Sequence, residues 1–342
     1  MQIPRFESLS VLVVGDLIAD RWLYAQPRRL SREAPVMVLR HESERLGAGG
    51  AANVARNLRA LGAEVSVLGA IGRDANGREL LNLIEGEGID TSGVELVPGA
   101  VTPTKTRVLA AEPRRSLQQI LRIDRDPPQP LAADVRARVA ARAYELGRRA
   151  DAILVSDYEY GCAGAEVGAA ASELASAGKV AVLDPRSSID GFPGLTAITP
   201  NVGEVAHLAL AAGAPAGDLD VPGALASAAA LLLRRAECRY LLVTRGNLGM
   251  ALFGEDLPEG GVAVEASGSG EVTDVCGAGD TAAAVFALAL AARATPVEAM
   301  VLANAASGVV VMEHGAAVCS PSALAGALAT APGAVRLSGS PG

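Results

Sequence analysis

Short apolar runs alternate along the chain with longer stretches in which apolar residues recur every three or four positions. Ser10–Gly15 (SVLVVG) reads as a buried strand, and residues 50–61 (GAANVARNLRAL) read as a helix stopped by Gly62. A strand at 64–70 and a helix at 75–87, closed by Gly88, continue the alternation. Further strands are predicted at Ala152–Ser156, 179–184, 197–199 and Tyr240–Thr244. Helices are predicted over about 131–148, 166–177, 202–212, 222–235, 281–292 and 296–312. Apolar strands separated by helices of this length predict βαβ units. The expected fold is therefore α/β, with a mainly parallel central sheet and helices on both faces.

Two segments break this rhythm. Residues 20–44 hold Trp22 and Tyr24 and then alternate apolar and polar positions from Pro35, and residues 104–124 hold the strand-like KTRVLA and QQILRID. Neither has the form of a βα crossover. Together they predict a small extra sheet standing off the main one, as a lid or a dimer surface. No repeat or linker divides residues 1–331, and 332–342 is expected to be a loose tail.

Composition narrows the class. Half of the 342 residues are hydrophobic, and the mean hydropathy is +0.29. Alanine, roughly a fifth of the chain, inflates both figures without adding bulk. The longest uncharged apolar stretch, 281–292, falls short of the roughly 20 residues a membrane span needs. The opening MQIPRFESLS shows no signal-peptide pattern. With 30 basic against 38 acidic residues the net charge is -8, which argues against a nucleic-acid partner. The four cysteines show neither metal spacing nor a disulfide framework, so a reduced, cytoplasmic protein is expected. Lysine survives only at 105 and 179, so a lone arginine in this chain is weak evidence that a guanidinium is required.

Ligands of an open parallel sheet bind beyond the carboxyl ends of its strands. The strongest candidate there is EVTDVCGAGDT (271–281), a glycine turn running into an apolar helix. Such a turn aims several N–H groups at one point beside the positive end of a helix, which makes an anion site. Asp280 within it reads either as a helix cap or as a base for a hydroxyl attacking a phosphate, and its place facing a ligand cleft favours the second. No G-x-x-x-x-G-K-[ST] occurs, so a P-loop is excluded. The second candidate, GAGGAANVARN (47–57), is a poor dinucleotide fingerprint because its glycines do not follow a strand of a βαβ unit. It fits better as a turn bringing a helix N-terminus to a polar ligand, with Asn53 projecting toward that ligand or, as an internal polar residue of the helix, satisfied by the lid.

These two stretches, extended to GAGGAANVARNLRALGAEVSVLGAIGRDANG and DVCGAGDTAAAVFALALA, resemble the two sequence motifs of the ribokinase-like (PfkB) carbohydrate kinases over nearly the whole chain. VVGDLIADRW, LSREAPVMVLR, TPTKTRVLA, QQILRID, VSDYEYG, TPNVGE and VTRGNLGM resemble more closely the kinase part of the bacterial D-glycero-β-D-manno-heptose 7-phosphate kinases. The resemblance implies a ribokinase-like fold and an ATP-dependent kinase acting on carbon 1 of a sugar phosphate. Mg²⁺ is implied as cofactor, a monovalent cation is left open, and a homodimer through the lid is expected.

The resemblance also implies roles for individual residues. Asp280 matches the general base, and the amides of Gly277, Ala278 and Gly279 match the anion hole. Asp16, Asn53 and, more weakly, Asp20 match sugar-hydroxyl contacts, with Gly49 and Gly50 allowing close approach and Lys105 as a candidate substrate contact. Asn201 and Glu204 match the N-x-x-E pair that organises Mg²⁺ and phosphates through water. Thr244, Arg245, Gly246 and Gly249 match the turn over the nucleotide, and Asn304 and Gly308 flank its adenine side. The chain departs from the pattern at Glu159-Tyr160 and Arg186-Ser187, where lysines and a glycine are usual, and at the EPRRS segment of the lid. It also shows no nucleotidyltransferase sequence, so adenylyl transfer is expected of another protein. Kinases for other sugars or nucleosides, a non-catalytic sugar-phosphate binder and, distantly, an NAD-dependent oxidoreductase are the rival readings.

Overall fold

The computed structural model describes residues 2–111, 117–214, 217–268, 273–313 and 315–337. The lid's EPRRS (112–116), Glu271 and Val272 of the glycine-turn motif, His314 and the last five residues lie outside the described residues.

The chain enters through β1 (Ser10–Gly15), leaves the main sheet as the long hairpin β2 (Leu17–Leu30) and β3 (Met37–Gly50), and returns through α1 (Ala51–Ala60) to β4 (Glu64–Leu68). A short pair, β5 (Ala70–Gly72) and β6 (Glu95–Val97), brackets α2 (Ala75–Gly86). The hairpin β7 (Thr104–Ala110) and β8 (Gln118–Arg125) follows. Beyond α3 (Ala133–Gly147) come β9 (Ala152–Ser156), α4 (Ala165–Ser176), β10 (Val180–Asp184), β11 (Ala197–Ile198), α5 (Val202–Ala211), α6 (Pro222–Ala236) and β12 (Tyr240–Thr244). The chain closes with β13 (Met250–Gly254), β14 (Val262–Val264), α7 (Ala278–Ala291), α8 (Pro296–Val310), α9 (Pro321–Leu328) and β15 (Val335–Arg336).

Nine strands form the main sheet in the order β15-β14-β13-β12-β11-β10-β9-β1-β4, parallel from β12 to β4. The apolar runs of the sequence become parallel strands because both faces are covered. In β1, Val11 and Val13 join one core and Leu12 and Val14 the other. The helices begin where the sequence supplies caps: the Asp74 carboxylate accepts the Gly77 amide at α2, and Thr295 with Glu298 makes a capping box at α8. α7 is enclosed over nearly its whole length, and its alanines let it run between the sheet and its neighbours α1 and α8.

The ribokinase-like expectation holds for the parallel core and its helices, and four details differ. The strand at 64–70 divides between two sheets, because β5 leaves β4 to pair with β6. β13 and β14 extend the main sheet antiparallel, which the search for βαβ units passed over. Within the segment expected to be a loose tail, Val335–Arg336 forms an edge strand on β14. The lid is larger than its aromatic segment: β2 starts two residues after β1 ends, and the lid sheet runs β3-β2-β7-β8.

Candidate active site

Gly277 caps α7 at φ +78°, and a Cβ there would stand 2.6 Å from the Asn53 amide nitrogen. That combination requires glycine. The helix therefore begins at Ala278, three residues earlier than its apolar run implied, and Asp280 lies in its first turn without capping it. Nothing stands within 4 Å of a Cβ built on Gly279, so a ligand could approach the backbone closely there. The Ala278 amide already donates to the Val275 carbonyl at 3.3 Å. Among the described residues the amides of Gly277 and Gly279 find no backbone acceptor outside the helix, so two of the three expected anion-hole donors remain free, at the positive end of α7.

Both oxygens of the buried Asp280 carboxylate are held. Asn53 donates to Oδ2 at 2.7 Å from α1, and the Tyr158 hydroxyl donates to Oδ1 at 2.9 Å from the turn after β9. Burial pushes the pKa of Asp280 up to about 6 against the pull of these two donors, with Asp20 adding to the rise and Lys105 opposing it. Asn53 is fully buried with its Oδ1 unpartnered, so its partner is Asp280 rather than the lid. One helical turn on, Asn57 accepts from the Thr281 hydroxyl at 3.1 Å and makes a second polar rung between α1 and α7.

Asp16, expected as a sugar-hydroxyl contact, holds the turn after β9. Its carboxylate is 1% exposed and accepts the backbone amides of Tyr158, Tyr160 and Cys162 at 2.9, 3.0 and 2.9 Å. A group so occupied shapes its own loop, with Oδ2 accepting two of the amides and Oδ1 one. Asp20, the weaker expectation, faces the lid's cations: Arg107 donates to it at 2.7 Å while lying 5.5 Å over the Trp22 ring. The two glycines expected to admit the ligand make room for the chain itself. A Cβ on Gly49 would stand 2.7 Å from an Asp20 oxygen, and one on Gly50, at φ +57°, 2.4 Å from the Asp16 carbonyl. Lys105 lies 4.9 Å over the Tyr158 ring and makes no ion pair with a described residue. Burial lowers its pKa and Asp20 raises it.

On the other side of α7's first turn, Thr244, Gly246, Gly249, Gly279, Asn304 and Gly308 line one mostly apolar cavity of about 360 Å³. Five of its lining residues, Thr244, Gly246, Gly249, Asn304 and Gly308, are among those that the resemblance assigned to the nucleotide. Asn304 does not point freely into it, since its amide donates to the Glu265 carbonyl and the Ser267 hydroxyl. Arg245 does not line it, and its Nε is buried without a partner. Asn201 and Glu204 also lie outside the lining and form the capping box of α5, with Glu204 accepting from Arg186 at 3.1 Å. Each side chain accepts the other residue's backbone amide, and among the described residues no three acidic, histidine or cysteine side chains converge as a metal site.

Each departure from the resembled pattern finds a partner, and two of them find each other. Glu159, at φ +65°, meets the Ser187 hydroxyl, and the Tyr160 hydroxyl donates to Asp126 at 2.6 Å. Burial lifts Asp157 to about 6 and holds Asp184 well above the usual carboxylate range, with Asp280 and Glu204 adding to the latter. The sequence reading missed Tyr158, Arg107 and Asn57. Tyr158 stood in a quoted motif, but nothing in one sequence says which of two tyrosines in DYEY turns inward.

A profile of the pfkB family carbohydrate kinases matches residues 8–323. The bifunctional protein HldE of Geobacter metallireducens is 39% identical over 94% of this chain and 63% of its own length. HldE of Pelobacter propionicus is 36% identical over 96% of the chain and 64% of its own length. The chain thus spans a little under two thirds of these curated relatives. Arabidopsis thaliana ribokinase complexed with ribose and ATP superposes with a TM-score of 0.69 at 20% identity, over 94% of this chain and 98% of that one. Escherichia coli phosphofructokinase-2 in complex with substrates and products gives 0.74 at 18% identity, over 93% and 98%. These two structures share the fold.

Proposed function

The chain belongs to the pfkB family of carbohydrate kinases, and from that premise we propose that it phosphorylates carbon 1 of D-glycero-β-D-manno-heptose 7-phosphate. It is an ATP-dependent sugar kinase. The choice of sugar is carried by the 36 to 39% identity to HldE proteins along nearly the whole chain. The product would be the 1,7-bisphosphate, a precursor for ADP-heptose and lipopolysaccharide. In this reading residues 1–331 form one kinase domain, working in the cytoplasm as a homodimer joined through the lid.

Asp280 accepts the proton of the anomeric hydroxyl as the sugar oxygen attacks the γ-phosphoryl and the bond to ADP breaks. A base positioned in this way is typically worth about 10²–10⁴-fold. The free amides of Gly277 and Gly279 face the charge that develops on the transferring group, and one such donor is worth roughly 3–4 kcal/mol. The purine occupies the cavity beside Gly249 and Gly308. Lys105 is assigned to the anionic sugar. Mg²⁺ enters as part of the nucleotide substrate, with Asn201 and Glu204 addressing it through water.

Glu159, Tyr160, Arg186 and Ser187 favour a second reading, a different sugar phosphate, because they remove the usual lysines and are themselves engaged, Glu159 with Ser187, Arg186 with Glu204 and Tyr160 with Asp126. Phosphorus NMR on heptose 7-phosphate, unphosphorylated heptose, hexose phosphates, pentoses and nucleosides separates the two. A new anomeric phosphate signal from heptose 7-phosphate alone is expected. Faster turnover of another sugar would replace the substrate, and no turnover of any would remove the kinase assignment.

A further inference from the structure

Tyr158 has no part in the reaction as set out so far, yet it lies between the two most buried carboxylates of the cleft. Its amide donates to Asp16 at 2.9 Å, and its hydroxyl donates to Asp280 at 2.9 Å. The amides of Tyr160 and Cys162 also end on Asp16, so the whole 158–162 turn closes around one buried anion, including Glu159 in its left-handed conformation. The Tyr158 phenol is enclosed, with the Lys105 ammonium above its ring. We propose that Tyr158 is the positioning residue of the base: Asp16 fixes the turn, the turn fixes the phenol, and the phenol fixes the Asp280 carboxylate.

The terminal torsion of an aspartate is broad and roughly two-fold, so an unrestrained carboxylate would sample many planes. Here Asn53 holds one oxygen and Tyr158 the other, from elements on opposite sides. Each oxygen keeps a second lone pair, so a substrate hydroxyl can be received without breaking either bond. The same hydroxyl favours the ionised base, the form that accepts a proton. Asp16 gains a task that explains its burial, and the task needs a carboxylate because three donors converge on two oxygens.

This inference rests on Asp280 being the base, but not on which sugar is bound. Its test begins on the ligand-free protein. Carbon-13 NMR of labelled aspartate carboxyls, assigned with Asp280→Asn, follows the Asp280 titration in wild type and in Tyr158→Phe. Asp20, Lys105 and Asp184 also face Asp280 and are the same in both proteins. Removing the donor should move the midpoint up by about one pH unit. 3-Fluorotyrosine at position 158, a stronger donor of the same shape, should move it down and covers the case in which Tyr158→Phe fails to fold. The acid limb of kcat/KM should follow, leaving Tyr158→Phe about fivefold slower near pH 6 and about tenfold slower below pH 5, recovering at higher pH, with the KM for ATP within twofold. A midpoint unmoved by either replacement would overturn the proposal, and so would a loss of kcat that higher pH does not restore. If no sugar is turned over, the carboxyl titration still decides it.

Discussion

Asp280 is deeply buried, and its pKa of about 6 has opposite consequences for stability and for turnover. Its folded pKa lies above the ordinary 3.8, so the native state binds this proton more tightly than the unfolded chain. The resulting stabilisation is complete below about pH 4 and is lost as pH rises through about 6. Asp280→Asn removes the buried charge. Its new amide can also pair with the unpartnered Asn53 oxygen if that side chain turns over. The variant should melt above wild type at pH 8, with the gap closing between pH 6 and 4 in thermal scans. A lower melting temperature at pH 8 would show that charged Asp280 is not a strained group. Turnover runs the other way, because only the ionised carboxylate accepts a proton, and wild-type kcat/KM should fall as pH drops through about 6. Lys105→Met, which removes the lid's one lysine, should raise the KM for the sugar phosphate about tenfold, as expected for losing a charged contact of about 1.4 kcal/mol. An unchanged KM would return Lys105 to a merely structural role.

At the scale of elements, α7 joins composition to function. Ala283, Ala284 and Ala287 are completely buried on it, and the helix packs against α1, from which Asn53 reaches Asp280 and Asn57 reaches Thr281. The alanine excess reads as compositional drift when only residue counts are considered, but along this helix it has a packing task. Ala284→Leu should destabilise the protein by about 1–3 kcal/mol in urea titrations, because a packed interior has no room for the extra methylenes. Other elements show why part of the site could not be read from the chain. The parallel strands and their helices carry unambiguous periodicity, and Ser10–Gly15, Ala152–Ser156 and Tyr240–Thr244 fall where the pattern puts them. The GAGD turn was legible because glycine, carboxylate and helix start are adjacent in sequence. The turn that Asp16 holds was not legible because its amides lie more than 140 residues away. Periodicity cannot show that those amides converge.

The whole molecule is acidic while its proposed ligands are polyanions, so binding must come from local donors: the two free amides at α7, Lys105 and the lid arginines. No helix among the described residues is long and apolar enough to cross a membrane, and the high mean hydropathy reflects a sheet covered on both faces. The lid's edge strand β8 leaves Leu121 and Ile123 53% and 54% exposed, two residues apart and thus on one face. An open strand edge with that face bare is a ready partner for a second copy. Ile123→Glu should shift sedimentation equilibrium from dimer to monomer, whereas a wild-type monomer would refute the dimer. The most direct test of the whole reading is single-turnover phosphoryl transfer to heptose 7-phosphate by wild type and Asp280→Asn. Transfer slowed about 10² or more in the variant, with ATP affinity unchanged, is the expected result. Near wild-type transfer by Asp280→Asn would contradict the assignment of Asp280 as the base on which the mechanism depends.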